Sequence, residues 1–367
     1  MHKLIATSTI LEHELSELRL LVERQTGIVL DCPNSALAAH VVDYIESSSL
    51  GSPATLLERL RSRDQDPSSL SSLLDGLINV NTGFFRHPGA LNALTRHVVP
   101  QLCARKSVDG PSPLRIWSTG CATGEETYTI AMAVCDALSQ SSASAGNNGS
   151  GTSNGNTNGN GKSAARNGGI VDGTVTTAVS GHLSSALSVH IVGSDLLPHN
   201  IEAADRGVYR QSALDGLPPA TIKNYFSKIS SPSISLNDVK IEEEQRGPKL
   251  VKNSSSNGSQ CVPANGAHLL VKPRLRSLVT FNCMNLARPG YIGRFDCIFC
   301  MDVLPHFSRA QRIALIERLH LYLEPGGYLF LSQTEKLITS NLNFRSENFD
   351  GYTFHRKPLA ASAAYGR

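Results

Sequence analysis

The chain has 367 residues, of which 40% are apolar and 18% are charged, and its formal net charge is +3. This length allows about two domains, and the composition is typical of a globular protein rather than a disordered or fibrous one. The small net charge argues neither for nor against nucleic-acid binding. Apolar runs stay well short of the roughly 18 residues that a membrane span needs. Since the N-terminus soon turns polar, we expect no secretory signal, no membrane insertion and a cytoplasmic protein.

The first part of the chain predicts a small all-α domain. Apolar residues repeat with helical spacing at Leu11, Leu15, Leu18 and Val22, and Gly27 follows as a C-cap. The same spacing returns further along, at Leu37, Val41, Ile45, Leu56, Leu57, Leu60, Leu70, Leu73, Leu74 and Ile78. We therefore place an N-terminal helical domain at residues 1–79.

From Leu114 onward, short apolar strands alternate with helices, and this part of the chain forms a second domain at residues 80–367. The predicted strands are residues 114–117, 189–192, 278–281, 296–300 and 328–331. The predicted helices are residues 127–138, 200–206 and 308–323. Ser308 and Gln311 have the spacing of a capping box at the start of the last helix, and Pro325-Gly326-Gly327 ends it. Such alternation is typical of an α/β fold with a largely parallel sheet covered on both faces.

Two segments interrupt this pattern of strands and helices. Residues 139–177 consist mostly of Ser, Gly, Asn and Ala, so we predict a disordered insertion. Residues 230–267 are predicted to be a second surface insertion.

Of the eight cysteines, Cys297 and Cys300 lie closest together, but residues three apart on a strand face opposite sides. We therefore expect reduced thiols in the core and no metal.

The strongest local motif is a glycine-containing loop between a strand and a helix, in the sequence Trp117-Ser-Thr-Gly-Cys-Ala-Thr-Gly-Glu-Glu126. Gly120 and Gly124 would let the backbone approach a ligand closely. A plain strand-to-helix turn and a nucleotide loop both remain possible, although the Gly-Lys-Ser/Thr of a phosphate loop is missing. Glu125 and Glu126 would repel phosphate, but they suit the ammonium and sulfonium groups of S-adenosylmethionine.

The predicted strand at residues 189–192 continues through Gly193-Ser194 and ends at Asp195. In α/β folds of this kind a carboxylate at such a place accepts hydrogen bonds from both ribose hydroxyls of a cofactor. The alternative is that Asp195 caps the helix that follows. The low-complexity insertion lengthens the separation from the glycine loop, but loop insertions cost little free energy.

Ordered motifs along the chain resemble the CheR family of chemotaxis receptor glutamate O-methyltransferases. In the first domain and just after it they are Gln25-Thr-Gly-Ile-Val-Leu30 and Asn81-Thr-Gly-Phe-Phe-Arg86. Next comes the glycine loop with its helix, from Gly120 to Ala131. It is followed by Asp195, Ala203-Ala204, Gly207-Val208-Tyr209, Leu217-Pro-Pro219 and Tyr225-Phe226. The last are Asn285-Leu286, residues 295–307 and Pro325-Gly-Gly-Tyr-Leu-Phe-Leu331.

This resemblance implies a Rossmann-like S-adenosylmethionine methyltransferase domain, preceded by the all-α domain and containing a small antiparallel β subdomain at residues 209–281. It implies that Thr82 and Arg86 border the transferred methyl group and that Glu126 or Glu125 lies by the methionine moiety. Asp195 would hold the ribose, and Asn285 with Leu286 would line the adenine side. The other cofactor contacts that it implies are Asn81, Asp302 and Val303. The implied substrate and partner is a glutamate side chain of a methyl-accepting chemoreceptor.

Three positions depart from the family pattern in the segment after the strand at 296–300: Met301 replaces an arginine, Asp302 an asparagine and His306 a tyrosine. We take Arg86 and His306 as candidate catalytic residues. The alternatives are that Arg86 pairs with a helix carboxylate at the surface and that His306 turns away from the site. At the level of function, the alternatives are a non-catalytic relative that binds the cofactor or a signalling partner, and a methyltransferase with another substrate. The sequence has neither an aromatic-proline catalytic loop nor a concentrated basic groove, so we expect no nucleic-acid partner.

Overall fold

The structure is a computed structural model that describes residues 10–62, 67–78, 81–109, 112–145, 170–171, 174–175, 187–229, 267–290, 292–338 and 342–359. The chain divides into two compact units, Met1–Asp205 with Pro273–Arg367 and Arg206–Lys272. Within the described ranges, no helix is long and apolar enough to cross a lipid bilayer.

The N-terminal segment is helical, as the apolar spacing predicts. Its helices are α1 (Glu12–Thr26), α2 (Asn34–Ser48), α3 (Pro53–Arg61) and α4 (Pro67–Leu74). Their predicted apolar faces form one buried cluster that includes Leu15, Leu18, Val22, Leu37, Val41, Leu57, Leu60 and Leu73. Leu11 was predicted in this row but is 53% exposed, because it precedes α1 and its backbone N–H donates to the Glu14 carboxylate. Gly27 ends α1 with a φ of 74°, a left-handed conformation that favours glycine.

Three consecutive helical segments lead from the first helices to the sheet. They are α5 (Pro88–Ala93), one turn of π-helix (Leu94–Val98) and α6 (Val99–Asp109). The Asn81–Arg86 motif lies immediately before α5, so this helix fixes the position of Arg86 and His87 at its N-terminal end. The sequence pattern did not predict these helices.

The main sheet is built around five parallel strands in the order β10-β9-β1-β4-β8. They are β1 (Leu114–Thr119), β4 (Leu187–Asp195), β8 (Val279–Cys283), β9 (Phe295–Cys300) and β10 (Leu323–Leu331). Antiparallel strands extend the sheet at its two sides: β2 (Ile170–Val171), β3 (Thr174–Val175), β11 (Arg345–Phe349) and β12 (Tyr352–Arg356). The largely parallel α/β sheet is therefore confirmed.

The strand order places a ligand crevice at one point of this sheet. The chain runs outward from β1 through β4 to β8 and then returns to the other side of β1 for β9. In open α/β sheets, ligands bind beyond the carboxyl ends of the strands where the order reverses in this way. The loops that follow β1 and β9 flank this crevice.

The helices associated with the main sheet are α7 (Glu125–Ala145), α8 (Pro198–Arg206), α10 (Pro273–Arg276) and α11 (Arg309–Tyr322). The capping box predicted at Ser308 is wrong: its side chain makes no cap hydrogen bond. Instead, Arg312 folds back and its guanidinium donates to the carbonyls of Phe307 and Pro305. The Pro325-Gly-Gly motif does not end α11, which stops at Tyr322, but forms an irregularity inside β10.

The segment predicted as a disordered insertion differs in part from that prediction. Its first residues, 139–145, continue α7, and residues 170–171 and 174–175 form the β2–β3 hairpin that pairs with the start of β4. The remainder of 139–177 lies outside the described residues, as does the second predicted insertion apart from Ala267.

The second compact unit contains the predicted antiparallel β subdomain. It consists of β5 (Val208–Arg210), a 3₁₀ turn (Gln211–Leu214), α9 (Pro219–Tyr225), β6 (Phe226–Ile229) and β7 (His268–Val271). Its three strands pair antiparallel in the order β5-β7-β6. The predicted range of this subdomain, which extends to residue 281, is too long. β8 belongs to the main sheet, where it pairs parallel with β4.

Candidate active site

A cleft lies beyond the carboxyl ends of β1, β4 and β9, where the strand order predicts a ligand site. The residues that form its wall come mainly from the segments after α1, before α5, after β1, after β4, after β8 and after β9. Among them are the predicted site residues Asn81, Thr82, Arg86, Gly120, Glu126, Asp195, Asn285, Leu286, Asp302, Val303 and His306. Glu125, which was also predicted, lies outside this lining.

The glycine loop takes the conformation that its sequence predicts. Gly120 has a φ of 66° and Gly124 a φ of 96°, so both occupy backbone conformations that disfavour larger residues. A Cβ on Gly120 would lie 2.7 Å from Cγ2 of Val303, which shows how closely the loops after β1 and β9 approach each other. Gly120 lines the cleft, whereas Gly124 shapes the turn through a hydrogen bond from its N–H to the carbonyl of Cys121.

Asp195 both lines the cleft and holds the local backbone. Its Oδ2 accepts a 3.0 Å hydrogen bond from the Ala122 N–H, and its Oδ1 accepts from the Leu197 N–H at 2.9 Å and from the Asn200 side chain at 3.0 Å. The backbone donor Leu197 precedes α8 and Asn200 donates from its side chain, so these bonds hold the loop before the helix. A carboxylate offers about four acceptor positions, so these three bonds leave capacity for a ligand hydroxyl.

The two glutamates that begin α7 have different surroundings. The Glu126 carboxylate lines the cleft and accepts a 2.8 Å hydrogen bond from the Ser118 hydroxyl. Burial raises the pKa of Glu126 to about 7, and the nearby charges of Asp302 and Glu335 add to this effect. Glu125 instead accepts a 2.7 Å bond from Thr123, and burial raises its pKa as well. Of the two alternatives, Glu126 has the geometry to meet a ligand.

Arg86 takes part in a charged cluster with Asp302 and His87. Nη2 of Arg86 and Nε2 of His87 each lie 3.2 Å from Oδ2 of Asp302. Nη1 of Arg86 also donates to the backbone carbonyl of Asn81. The arginine thus pairs with a carboxylate on a loop at the cleft rather than with a helix carboxylate at the surface. Burial lowers the pKa of His87, and the Asp302 charge partly opposes that shift.

Glu335 fixes the loop that carries Asp302. Its carboxylate accepts backbone hydrogen bonds from Asp302 at 3.2 Å, Leu304 at 2.9 Å and Ser332 at 2.8 Å. Asp302 has a φ of 57°, a conformation that few residues other than Gly, Asn and Asp adopt readily. Sequence reasoning missed both Glu335 and His87. His87 directly follows the Arg86 motif, but Glu335 lies 33 residues away from Asp302 and has no local signal.

His306 and Asn285 connect the cleft to the N-terminal helices. His306 lines the cleft, and its carbonyl accepts a 2.8 Å bond from the Val29 N–H. Burial lowers the pKa of this imidazole, against a weaker effect of Asp302. The Asn285 amide donates to the Gln25 carbonyl at 2.8 Å and its oxygen accepts from the Ala287 N–H at 2.9 Å. Asn285 therefore positions the loop with its side chain, while Leu286 adds an apolar part of the wall.

The cysteines of the described ranges lie outside the cleft lining. Burial raises the pKa of the Cys121, Cys297 and Cys300 thiols, which keeps them protonated and unreactive. The described residues contain no cluster of His, Cys, Asp and Glu side chains that could hold a metal ion.

Comparison with known proteins agrees with this geometry. Residues 80–145 and 253–353 match the family described as CheR methyltransferase, SAM binding domain. Over these residues, the chain is similar to the CheR methyltransferases. Chemotaxis protein methyltransferase 1 of Pseudomonas aeruginosa is 26% identical over 322 residues, which cover 87% of this chain and 88% of that protein. Chemotaxis protein methyltransferase Cher2 of Pseudomonas putida is 23% identical, over 88% of this chain and 90% of its own length.

One solved methyltransferase structure gives a weaker match. A magnesium protoporphyrin IX methyltransferase from Synechocystis, with bound SAM, covers 80% of this chain and 97% of its own at 13% identity and a TM-score of 0.28. A likeness this weak supports no conclusion about the site.

The cleft fits S-adenosylmethionine, the cofactor of this family. Its wall combines the carboxylates of Glu126 and Asp195 with apolar side chains. Carboxylates suit an ammonium group and ribose hydroxyls, and apolar walls suit an adenine ring. The apolar part of the wall includes Ile28, Leu196, Leu286, Val303 and Phe307.

The raised pKa of Glu126 leads to a test that needs no substrate. Because the folded-state pKa lies near 7 and the ordinary value is 4.5, ionising Glu126 in the ligand-free protein costs free energy. This cost grows as the pH rises from about 4.5 to about 7 and then stays constant. Glu126→Gln should therefore increase the free energy of unfolding at pH 8 by about 2 kcal/mol, somewhat less than the full shift implies because the carboxylate faces the cleft.

The same substitution should weaken cofactor binding, since an ionised Glu126 can pair with the cofactor's ammonium group. We expect the dissociation constant for S-adenosylmethionine to rise about tenfold. Denaturant unfolding at pH 5 and pH 8 and calorimetric titration measure the two effects. Glu125→Gln is the matched control and should change the affinity much less. An equal loss of affinity in both variants would mean that Glu126 has no special contact with the ligand.

Proposed function

We propose that the protein transfers the methyl group of S-adenosylmethionine to glutamate side-chain carboxylates of chemoreceptors, which gives glutamyl methyl esters. The observation that carries this proposal is the position of Arg86 in the wall of the same cleft as Glu126 and Asp195. An arginine at that place can orient an acceptor carboxylate through two parallel hydrogen bonds. The names of the Pseudomonas relatives, which are chemotaxis protein methyltransferases, support the choice of chemoreceptors.

The reaction asks little of the protein's acid–base groups. A glutamate carboxylate has a pKa near 4.3, so it is ionised at neutral pH and acts as a nucleophile without a general base. When bound, S-adenosylmethionine would supply an electrophilic methyl group to the acceptor carboxylate and would leave as S-adenosylhomocysteine, while Glu126 and Asp195 would hold it in the cleft. The chain's residues hold the carboxylate in line with that methyl, which can account for much of the rate enhancement.

Labelled methyl transfer tests this function. The purified protein is incubated with S-adenosylmethionine carrying a labelled methyl group and with membranes that contain chemoreceptors. We expect label on the receptor that mild base releases as methanol, because carboxyl methyl esters hydrolyse under those conditions. Base-stable label, or label on other molecules only, would instead indicate a methyltransferase with another substrate.

A non-catalytic relative is the second candidate, and one observation favours it. Asp302 already pairs with Arg86 at 3.2 Å, so the guanidinium that should receive the acceptor carboxylate has a partner within the protein. A protein of this kind would bind S-adenosylhomocysteine in calorimetry but transfer no methyl group to any receptor membrane.

The lowered pKa of His306 gives a pH prediction for the proposed reaction. Because burial lowers this pKa below its ordinary 6.5, the imidazole is neutral above pH 7 and gains its charge only in more acidic solution. The kcat/KM profiles of wild type and His306→Tyr should therefore coincide above pH 7 and separate below about pH 6.5. His87 and Glu126 titrate in both proteins, so the difference between the profiles isolates His306.

Initial-rate measurements between pH 5.5 and 8 check this prediction. His13→Tyr is the control, because His13 is exposed on α1 and lies outside the cleft lining. If the His306→Tyr profile matches wild type at every pH, His306 does not act on the reacting groups.

A further inference from the structure

A second cavity of about 280 Å³ adjoins the cleft. It shares Arg86, His87, Ala90 and Asp302 with the cleft, so the charged cluster forms part of both walls. Its remaining wall is uncharged and comes from Pro88, Gly89, Ser332, Gln333, Thr334 and Tyr352.

The shape of this cavity depends on the start of α5 and on the end of β10. A Cβ on Gly89 would lie 3.2 Å from that of Tyr352, so glycine leaves space there. The Tyr352 hydroxyl donates to the Leu331 carbonyl at 2.5 Å, which holds the ring as a fixed wall. Ser332 and Thr334 hydroxyls lie 3.2 Å apart on the opposite segment. Hydroxyl and amide groups thus surround an opening that leads to Arg86.

The charges in this wall are few and mutually paired. Arg86 is balanced by Asp302, and burial holds the pKa of His87 below its ordinary value. The Arg86 and Asp302 side chains remain 37% and 33% exposed, so a ligand can reach both. An entering carboxylate can pair with Arg86 only if it displaces Asp302 or shares the guanidinium with it. Asp302 carries the same negative charge as the entering group.

We propose that this second cavity receives the acceptor side chain, and that Asp302 limits the affinity for the acceptor because it competes with the acceptor carboxylate for Arg86. The acceptor is then a carboxylate side chain on a protein segment whose neighbouring residues are uncharged and able to form hydrogen bonds. This inference rests on the proposed methyl transfer to glutamate. It adds the place where the glutamate enters and the residue that limits its affinity.

Narrowing the cavity is the first test. Thr334 is exposed, lines the second cavity and lies outside the lining of the cleft. Thr334→Trp should raise the KM for receptor membranes at least tenfold and leave the dissociation constant for S-adenosylhomocysteine within twofold of wild type. Thr353→Trp is the matched control, since Thr353 is also exposed and also makes one side-chain hydrogen bond, with Asn348. A KM within twofold of wild type in Thr334→Trp would overturn the assignment of the cavity.

Removing the competing charge is the second test. Asp302→Asn keeps the size of the side chain and suits the left-handed backbone at this position. It frees Arg86 from a charged partner, so the KM for receptor membranes should fall about fivefold. An unchanged or higher KM, with S-adenosylhomocysteine affinity retained, would contradict the role of Asp302.

A binding measurement separates this inference from the proposed reaction. N-acetyl-glutamate amide is titrated into the protein with S-adenosylhomocysteine present, and the ring signals of His87 are followed by nuclear magnetic resonance. We expect a saturable shift in wild type, with at least tenfold weaker binding in Thr334→Trp. Such binding without methyl transfer to receptors would reject the proposed function and keep the cavity assignment. Methyl transfer to receptors without this shift would keep the proposed function and reject the cavity assignment.

Discussion

Replacing Asp195 with alanine is expected to raise the dissociation constant for S-adenosylhomocysteine by about 30-fold or more. This corresponds to a loss of about 2–4 kcal/mol, the range for a charge-assisted pair of hydrogen bonds to a ligand. The carboxylate ends β4 beside the glycine loop, where it faces the cleft. Ribose hydroxyls in the cleft would meet the acceptor positions that its three protein bonds leave open.

The protein contacts of Asp195 require a second variant. Asp195→Ala also leaves the Ala122 and Leu197 N–H groups without this acceptor, so we expect a loss of stability of about 1–3 kcal/mol beside the loss of affinity. Asp195→Asn removes the charge but keeps one acceptor oxygen, which can serve the Ala122 N–H or the Leu197 N–H but not both. It should lose less stability than Asp195→Ala and still bind about tenfold more weakly.

Calorimetric titration with S-adenosylhomocysteine and thermal unfolding separate these effects. Glu202→Ala is the control, because Glu202 is an exposed acid on the adjacent helix α8. If Asp195→Ala and Asp195→Asn both lose stability but keep wild-type affinity, Asp195 is a structural cap and the ribose assignment is wrong.

The parts of the site that the sequence could predict are those that strand ends determine. Gly120 and Asp195 lie 75 positions apart, but Gly120 directly follows β1 and Asp195 ends β4, which are parallel neighbours. Carboxyl ends of neighbouring parallel strands meet at one edge of a sheet, so the alternation of strands and helices already brings these residues together. The structure agrees, because the Ala122 N–H of the glycine loop donates a 3.0 Å hydrogen bond to the Asp195 carboxylate. An insertion between the two strands does not affect this logic.

The parts that the sequence could not predict depend on side-chain direction and on contacts across the chain. Motif comparison names Asp302 as a departure, but its pairing with both Arg86 and His87 follows from a left-handed backbone that Glu335 holds from a distant loop. Likewise, Ser308 and Gln311 have the spacing of a capping box, but the Ser308 side chain makes no cap hydrogen bond. Sequence spacing alone does not determine the direction of such a side chain.

Replacing Arg86 with alanine is expected to lower kcat/KM for receptor methylation about 100-fold. Arginine donors that orient a reacting oxygen contribute on this scale when they are held in place before reaction. Arg86 is held by Asp302 on one side and by the Asn81 carbonyl on the other, which fixes the plane of its guanidinium at the cleft wall. In the alanine variant, the acceptor carboxylate would meet the Asp302 charge without compensation.

Arg86→Lys and Arg96→Ala complete the measurement. Lysine keeps the charge but loses the two parallel donors, so we expect an intermediate loss of about tenfold. Arg96 is exposed in the π-helical turn, outside both cavity linings, and its replacement should leave the rates unchanged. S-adenosylhomocysteine titration accompanies each rate, because a loss that appears wholly as weaker cofactor binding would place Arg86 on the cofactor rather than on the acceptor. Equal rates for Arg86→Ala and wild type would remove Arg86 from the reaction and favour the non-glutamate alternatives, since a neutral acceptor needs no guanidinium to hold it.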